Sequence, residues 1–216
     1  MKARRIIYIK SAINKLCSVY PRLAKVKTLT SAYQLLVSLF NYTERTRFLL
    51  QLYGGTSYLK DFIETYEQHY TFYKAPKPTH PVIIILDNDT GFNSIETFLK
   101  GNKGKQAVSF PAGLKDTPYR DADFIHVLHN LYIVLTPLGA GNSTAIEDLF
   151  TTATLSEVVS GKKFNPSNKM DISKEYGKEI FAKKVVLTKK NSIDFSGFRV
   201  LLNRVVQCIE HYDTVK

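Results

Sequence analysis

Apolar residues recur at helical spacing at the start of the chain: Ile6, Ile9, Ile13, Leu16 and Tyr20, ending at Pro21. This predicts an amphipathic helix whose opposite face is basic. A second helical stretch is expected over about residues 31–40, and a short one after Asn41. Thr56, behind Gly54-Gly55, is placed to cap a helix carrying Leu59, Phe62, Ile63 and Tyr66. At Val82 the pattern changes. Val82-Ile-Ile-Ile-Leu86 is a short, mostly β-branched run behind the proline-rich segment 75–81, which predicts a fully buried strand. Ile95, Phe98 and Leu99 then predict a short helix closed by Gly101, so Asp87 and Asp89 fall in a strand-to-helix turn. Two further strand-like runs, 123–128 and Leu131–Leu135, flank His129-Asn130, which reads as a two-residue hairpin turn in preference to an irregular join. A glycine-containing loop, Gly139 to Ser143, leads to Ile146-Glu-Asp-Leu-Phe150. Two more helices are expected over about 174–186 and 196–211, the latter with Phe198, Leu201, Leu202, Val205 and Ile209 on one stripe. There is no internal repeat and no low-complexity linker.

With 216 residues and 44% hydrophobic content, the chain can bury a substantial core and is most simply one domain. It reads as a helical part over 1–80, a sheet core with the acidic turn over 81–150, and a helical part over 151–216. No apolar run approaches the ~20 residues that span a bilayer, and Met1-Lys-Ala-Arg-Arg5 lacks the features of a signal peptide, so a cytoplasmic location without a membrane partner is expected. Cys17 and Cys208 lie in helical patterns and read as packing residues.

Charge adds a partner class. The net charge is +11, and the first acidic residue is Glu44, behind Lys2, Arg4, Arg5, Lys10, Lys15, Arg22, Lys25 and Lys27. More positive charge lies at Lys100, Lys103 and Lys105 and in the pairs 162–163, 183–184 and 189–190. A solvated surface that keeps the chain soluble accounts for some of this. Such clustering also favours a polyanion, nucleic acid ahead of an anionic membrane.

Two carboxylates at i and i+2 in a turn that relaxes the strand's alternation can converge on a hard cation such as Mg²⁺, which takes one or two protein carboxylates and completes its octahedron with water or phosphate oxygens. The structural alternative is that Asp87 caps the following helix while Asp89 is exposed. Glu147-Asp148 follows a strand and loop, as the first acids do, and reads equally as charge at a helix N-terminus. His126 and His129 resemble a metal pair by residue type, but strand and turn spacing favours structural roles. No Ser-His-Asp order, phosphate-cradling glycine fingerprint or CxxC motif stands out.

Taken in order, Gly54-Gly55-Thr56, Ile84-Ile-Leu-Asp-Asn-Asp89, Asn130-Leu-Tyr-Ile-Val134, Ile146-Glu-Asp-Leu-Phe150 and Tyr176-Gly-Lys-Glu-Ile-Phe-Ala182 resemble the TOPRIM-type domain fused to the C-terminus of some retron reverse transcriptases. That domain is similar to the nuclease domain of OLD-family proteins. The resemblance covers nearly the whole chain. It implies an α/β, TOPRIM-like Rossmannoid fold with a mainly parallel sheet, flanking helices and an additional C-terminal helical region. It also implies Asp87 and Asp89 as Asp-x-Asp ligands of Mg²⁺ or Mn²⁺, Glu147 as the later acid, and Lys178 as a basic residue near the scissile phosphate. DNA or RNA would be cleaved, in association with a reverse transcriptase and its RNA-linked DNA, in antiviral defence. The family's earlier motif, Glu-Gly-Lys-Thr-Asp, would fall where Met1-Lys-Ala-Arg-Arg5 stands. The resemblance therefore implies a relative truncated at its N-terminus, without the first acidic motif, the first core strand or the polymerase, and impaired in hydrolysis.

Two other readings remain open. Leu86-Asp-Asn-Asp-Thr90 also resembles the opening motif of haloacid-dehalogenase-type phosphatases, where the first Asp is the nucleophile and the second an acid/base. That motif belongs on a first strand, however, and a long, mostly helical segment over residues 1–80 precedes it here. The other reading is a non-catalytic basic module that binds nucleic acid or a protein partner.

Overall fold

A computed structural model describes residues 3–27, 33–41, 43–50, 56–72, 77–101, 118–167 and 169–216. In chain order its elements are α1 (Ala3–Lys15), β1 (Ala24–Val26), β2 (Tyr33–Leu35), α2 (Glu44–Leu50), α3 (Thr56–Phe72), β3 (Val82–Leu86), α4 (Asn93–Lys100), β4 (Ile125–Leu128) and β5 (Leu131–Leu135). After these come α5 (Thr152–Leu155), β6 (Lys163–Phe164), β7 (Glu175–Tyr176), α6 (Lys178–Ile180), a π-helical segment (Phe181–Val186), α7 (Leu187–Lys189) and α8 (Arg199–Val215). The chain is mixed α/β, with parallel pairing in two of its small sheets. It divides into two compact units: residues 1–41 with 146–202, and residues 42–145 with 203–216. Thus α8 is shared between them after Leu202.

The second unit is built on β3. Its apolar run pairs in parallel with β5, in register from Val82 opposite Leu131 to Leu86 opposite Leu135, and β5 pairs antiparallel with β4 in a three-stranded sheet ordered β3-β5-β4. The hairpin expected at His129-Asn130 is present, with His129 at φ 46. The αL region is the one a tight two-residue turn demands. Ile95 and Leu99 of α4 and Ile63 of α3 pack with Leu86, Ile133 and Val127 in one buried cluster. Arg204 of α8 is buried too. Its Nη1 donates to the Leu135 carbonyl at 2.9 Å, and its Nε lies 3.4 Å from Asp123. Burial lowers the guanidinium's pKa, and the Asp123 carboxylate offsets part of that shift.

The first unit is held by aromatic packing. Phe150 meets Tyr8, Phe181, Phe195 and Phe198 edge-to-face at centroid distances of 5.2, 5.3, 5.8 and 5.0 Å. Such pairs contribute about 0.5–1.5 kcal/mol each beyond the area they bury. At Gly197 the backbone passes so close to Leu149 that a Cβ would sit 2.3 Å from the Leu149 carbonyl oxygen.

Two predicted helices are corrected in this unit. Within 31–40, Tyr33–Leu35 is a strand that pairs antiparallel with Ala24–Val26, and the Leu36 N–H bonds the Leu23 carbonyl at 2.9 Å. The apolar spacing of that segment fits a period of two as well as 3.6, and the partner strand satisfies its backbone. The helix expected from about residue 174 begins instead at Lys178, because Glu175-Tyr176 pairs in parallel with Lys163-Phe164 and Gly177, extended at φ −95 and ψ −177, caps α6.

Candidate metal and nucleic-acid site

At the carboxyl end of β3 the ladder to β5 continues for one more bond, from the Thr136 N–H to the Leu86 carbonyl at 2.9 Å. Beyond it, Asn88 forms an antiparallel bridge with Thr144. The Asn88 N–H is shared between the Thr144 carbonyl and Thr136 Oγ1, both at 2.8 Å, and the Thr144 N–H returns to the Asn88 carbonyl at 2.9 Å. Thr136 Oγ1 donates to the Thr144 carbonyl at 2.7 Å. The Asn88 side chain is 0% exposed, with its Nδ2 on the Arg120 carbonyl at 2.8 Å.

This inward Asn88 fixes its neighbours. Asp89 is still extended, at φ −128 and ψ −169, so strand alternation persists through the turn and places the half-buried Asp87 and Asp89 on the side opposite Asn88. The expected break in alternation is absent, and an extended backbone starts both acidic side chains from the same side. The cap falls to Asp89: its Oδ1 accepts the Gly91 N–H at 2.7 Å, opening the 3-10 turn Thr90–Phe92 that leads into α4.

Glu147 and Lys178 belong to the other unit. Glu147 lies on the 3-10 turn Ile146–Leu149 and is 3% exposed. Lys178 Nζ donates to its Oε2 at 3.1 Å, while Arg4 Nε stands 3.7 Å from its Oε1 and Arg4 Nη1 lies 3.9 Å from Glu179. The Tyr8 hydroxyl donates to the Lys178 carbonyl at 3.3 Å. Burial first, and the Glu147 charge second, push its phenol pKa far up, so it remains a donor. A carboxylate flanked by two cations is charge-compensated, and a divalent ion approaching it meets like-charge repulsion.

The positive charge is unequally divided. The first unit carries 18 Lys and Arg against 7 Asp and Glu, a balance of +11 that equals the charge of the whole chain. The second unit has 12 of each. Of the residues expected to contact nucleic acid, Arg4 is engaged by Glu147, Arg5 is half-buried, and Lys100 pairs with Glu96 at 2.7 Å. Lys103 and Lys105 lie outside the described residues. Lys10, Lys25, Lys183, Lys184 and Lys190 of the first unit are exposed.

The two histidines hold structure, the role that their strand and turn spacing favoured over a metal pair. His126 Nε2 bonds the His129 carbonyl at 2.8 Å, and His129 pairs with Glu67 at 2.7 Å while stacking on Tyr70 at 3.9 Å. Among the described residues no group of three or more His, Cys, Asp or Glu side chains is arranged to hold a metal ion. Also among the described residues, no helix is long and apolar enough to cross a membrane.

Sequence reasoning missed Arg120, which bonds Asn88 and the Asp89 carbonyl from 32 and 31 residues downstream. It also missed Thr136 and Thr144. Compared with known proteins, the chain matches no family model, and no solved structure matches it significantly.

Proposed function

We propose that this chain is a TOPRIM-type domain of the metal-dependent nuclease class, associated with a retron reverse transcriptase, and that it binds DNA or RNA more readily than it cuts it. The observation that supports the reading is the turn Asp87–Asp89, where two half-buried acids flank a fully buried Asn88 at the carboxyl end of a parallel strand pair. In open α/β sheets that end is where ligands bind. Two carboxylates suit Mg²⁺ or Mn²⁺, with water and phosphate oxygens as the remaining ligands. Asp87 and Asp89 would hold the ion, which would supply a Lewis acid for a phosphate oxygen and for an attacking water. The chain's own contribution is to hold Asp87 and Asp89 extended and to present lysines to the phosphodiester backbone.

Weak turnover follows from Glu147. Its compensation by Arg4 and Lys178 leaves it poorly suited to hold a second ion. That same compensation, together with a first unit that carries all the net charge, favours a second reading: a nucleic-acid-binding module without hydrolysis. A phosphatase with Asp87 as nucleophile ranks below both.

The test incubates the purified chain with end-labelled single-stranded and duplex DNA and RNA, with Mg²⁺ or with EDTA. The expected result is salt-sensitive binding and slow, Mg²⁺-dependent cleavage abolished by Asp89→Ala. Binding without any cleavage selects the second reading. Cleavage that survives Asp89→Ala or EDTA rejects the site, and hydrolysis of a small phosphate monoester without nucleic-acid binding selects the phosphatase.

A further inference from the structure

Besides the Thr136 and Thr144 bonds, one further side chain, Arg120, ties the acidic turn to the rest of its unit. Arg120 Nη1 donates to Asn88 Oδ1 at 3.0 Å, and both Nη1 and Nη2 reach the Asp89 carbonyl at 3.2 Å. Nη2 also donates to Asn93 Oδ1 at 2.6 Å, and Nε to Glu96 Oε2 at 3.1 Å. In return the Arg120 carbonyl accepts Asn88 Nδ2 at 2.8 Å, and the guanidinium lies 5.4 Å from the centroid of the buried Phe92 ring. One planar fork thus joins the residue between the two acids, the backbone of the second acid, and the first turn of α4.

The chemistry of these partners is selective. A guanidinium bound to a carboxylate of the turn would compete with a cation. Here Asp89 offers it the backbone carbonyl, and the anionic partner is Glu96, one turn into α4. Burial alone would raise the Glu96 carboxyl, but hydrogen bonding and charge from Lys100 and Arg120 outweigh it and hold its pKa below the usual carboxylate range. The Arg120–Glu96 pair therefore stays ionised at neutral pH. Arg has the rigid donor geometry for such bridging, whereas Lys is a single flexible point.

We propose that Arg120 is a positioning residue that locks the turn Asp87–Asp89 onto α4 and thereby sets the turn's affinity for a divalent cation. The cation half of this rests on the function proposed above; the lock does not. Residues that orient metal ligands typically change affinity by about 10- to 100-fold when replaced.

The experiment compares wild type, Arg120→Gln and Arg120→Lys in the full chain by Mn²⁺ binding, read by electron paramagnetic resonance, and by amide hydrogen exchange. The expected result is Mn²⁺ affinity lowered about 10- to 100-fold in Arg120→Gln, partial rescue in Arg120→Lys, and faster exchange at Asn88 and Gly91 with Ile133 and Val134 of β5 unchanged. Unchanged exchange at Asn88 and Gly91 overturns the lock, whatever the metal does. Faster exchange with unchanged Mn²⁺ affinity overturns the coupling. Faster exchange in a protein whose wild type binds no Mn²⁺ supports the lock and rejects the cation reading. Arg120→Lys keeps the comparison decisive if Arg120→Gln fails to fold.

Discussion

Removing Lys178 strands a buried charge, and the cost follows from the contacts of Glu147. That carboxylate is 3% exposed and has two cationic neighbours, Lys178 Nζ at 3.1 Å and Arg4 Nε at 3.7 Å. Lys178→Met preserves side-chain length and apolar packing but removes the closer cation and its hydrogen bond. Breaking a buried pair by deleting one partner costs about 3–5 kcal/mol, because the other charge is left uncompensated. Arg4 remains within ion-pair distance, which places the loss near the lower end, about 3 kcal/mol. With a urea m-value of about 2 kcal/mol/M, the unfolding midpoint falls by roughly 1.5 M. Circular dichroism during urea titration measures it. One companion result is required: Glu147→Gln/Lys178→Met must be more stable than Lys178→Met, since no carboxylate is left to strand and Arg4 retains Glu179. A midpoint within the error of wild type, or a double variant that is merely additive, refutes the reasoning.

Gly197→Ala places a Cβ 2.3 Å from the Leu149 carbonyl oxygen, a backbone atom without a rotamer to yield, and should cost about 1–3 kcal/mol in the same titration. Lys183→Glu/Lys184→Glu, on exposed positions of the charged unit, should weaken binding to all nucleic-acid sequences about equally and flatten the salt dependence measured by filter binding. The pKa of His211 is lowered from 6.5 by burial first and by His126 second, so the fold favours the neutral ring. The stability this group permits is complete above pH 6.5 and declines as pH falls below that value toward the depressed folded pKa, where the loss levels off. The urea midpoint should drop over that interval, and more steeply in wild type than in His211→Gln.

Elements carried by local pattern were legible in the sequence. The run Val82–Leu86 is too β-branched and too short for a helix, and the strand and the β4–β5 hairpin both form, but the full burial expected of the strand does not: among the described residues β3 is an edge strand in which Leu86 is buried and Val82 exposed. The strands Ala24–Val26 and Tyr33–Leu35 were not legible, because three-residue strands carry almost no periodicity and exist through their partner. The same distinction divides the site. Asp87 and Asp89 stood out as acids directly behind a core strand. Asn88 between them gave no signal, since its burial depends on Thr136, Thr144 and Arg120 arriving from elsewhere in the chain. Arg4 read as surface charge for the same reason: its pairing with Glu147 is a tertiary contact that composition cannot reveal.

The central claim is that the turn Asp87–Asp89 holds a divalent cation, and calorimetric titration of Mn²⁺ and Mg²⁺ into wild type, Asp87→Asn and Asp89→Asn tests it most directly. Asparagine preserves shape while removing charge, so each variant should keep the wild-type unfolding free energy to within about 1 kcal/mol. Wild type should bind Mn²⁺ with a stoichiometry of one, and each variant should lose most of that affinity. Wild-type affinity retained in both variants, or no heat of binding in wild type, contradicts the account.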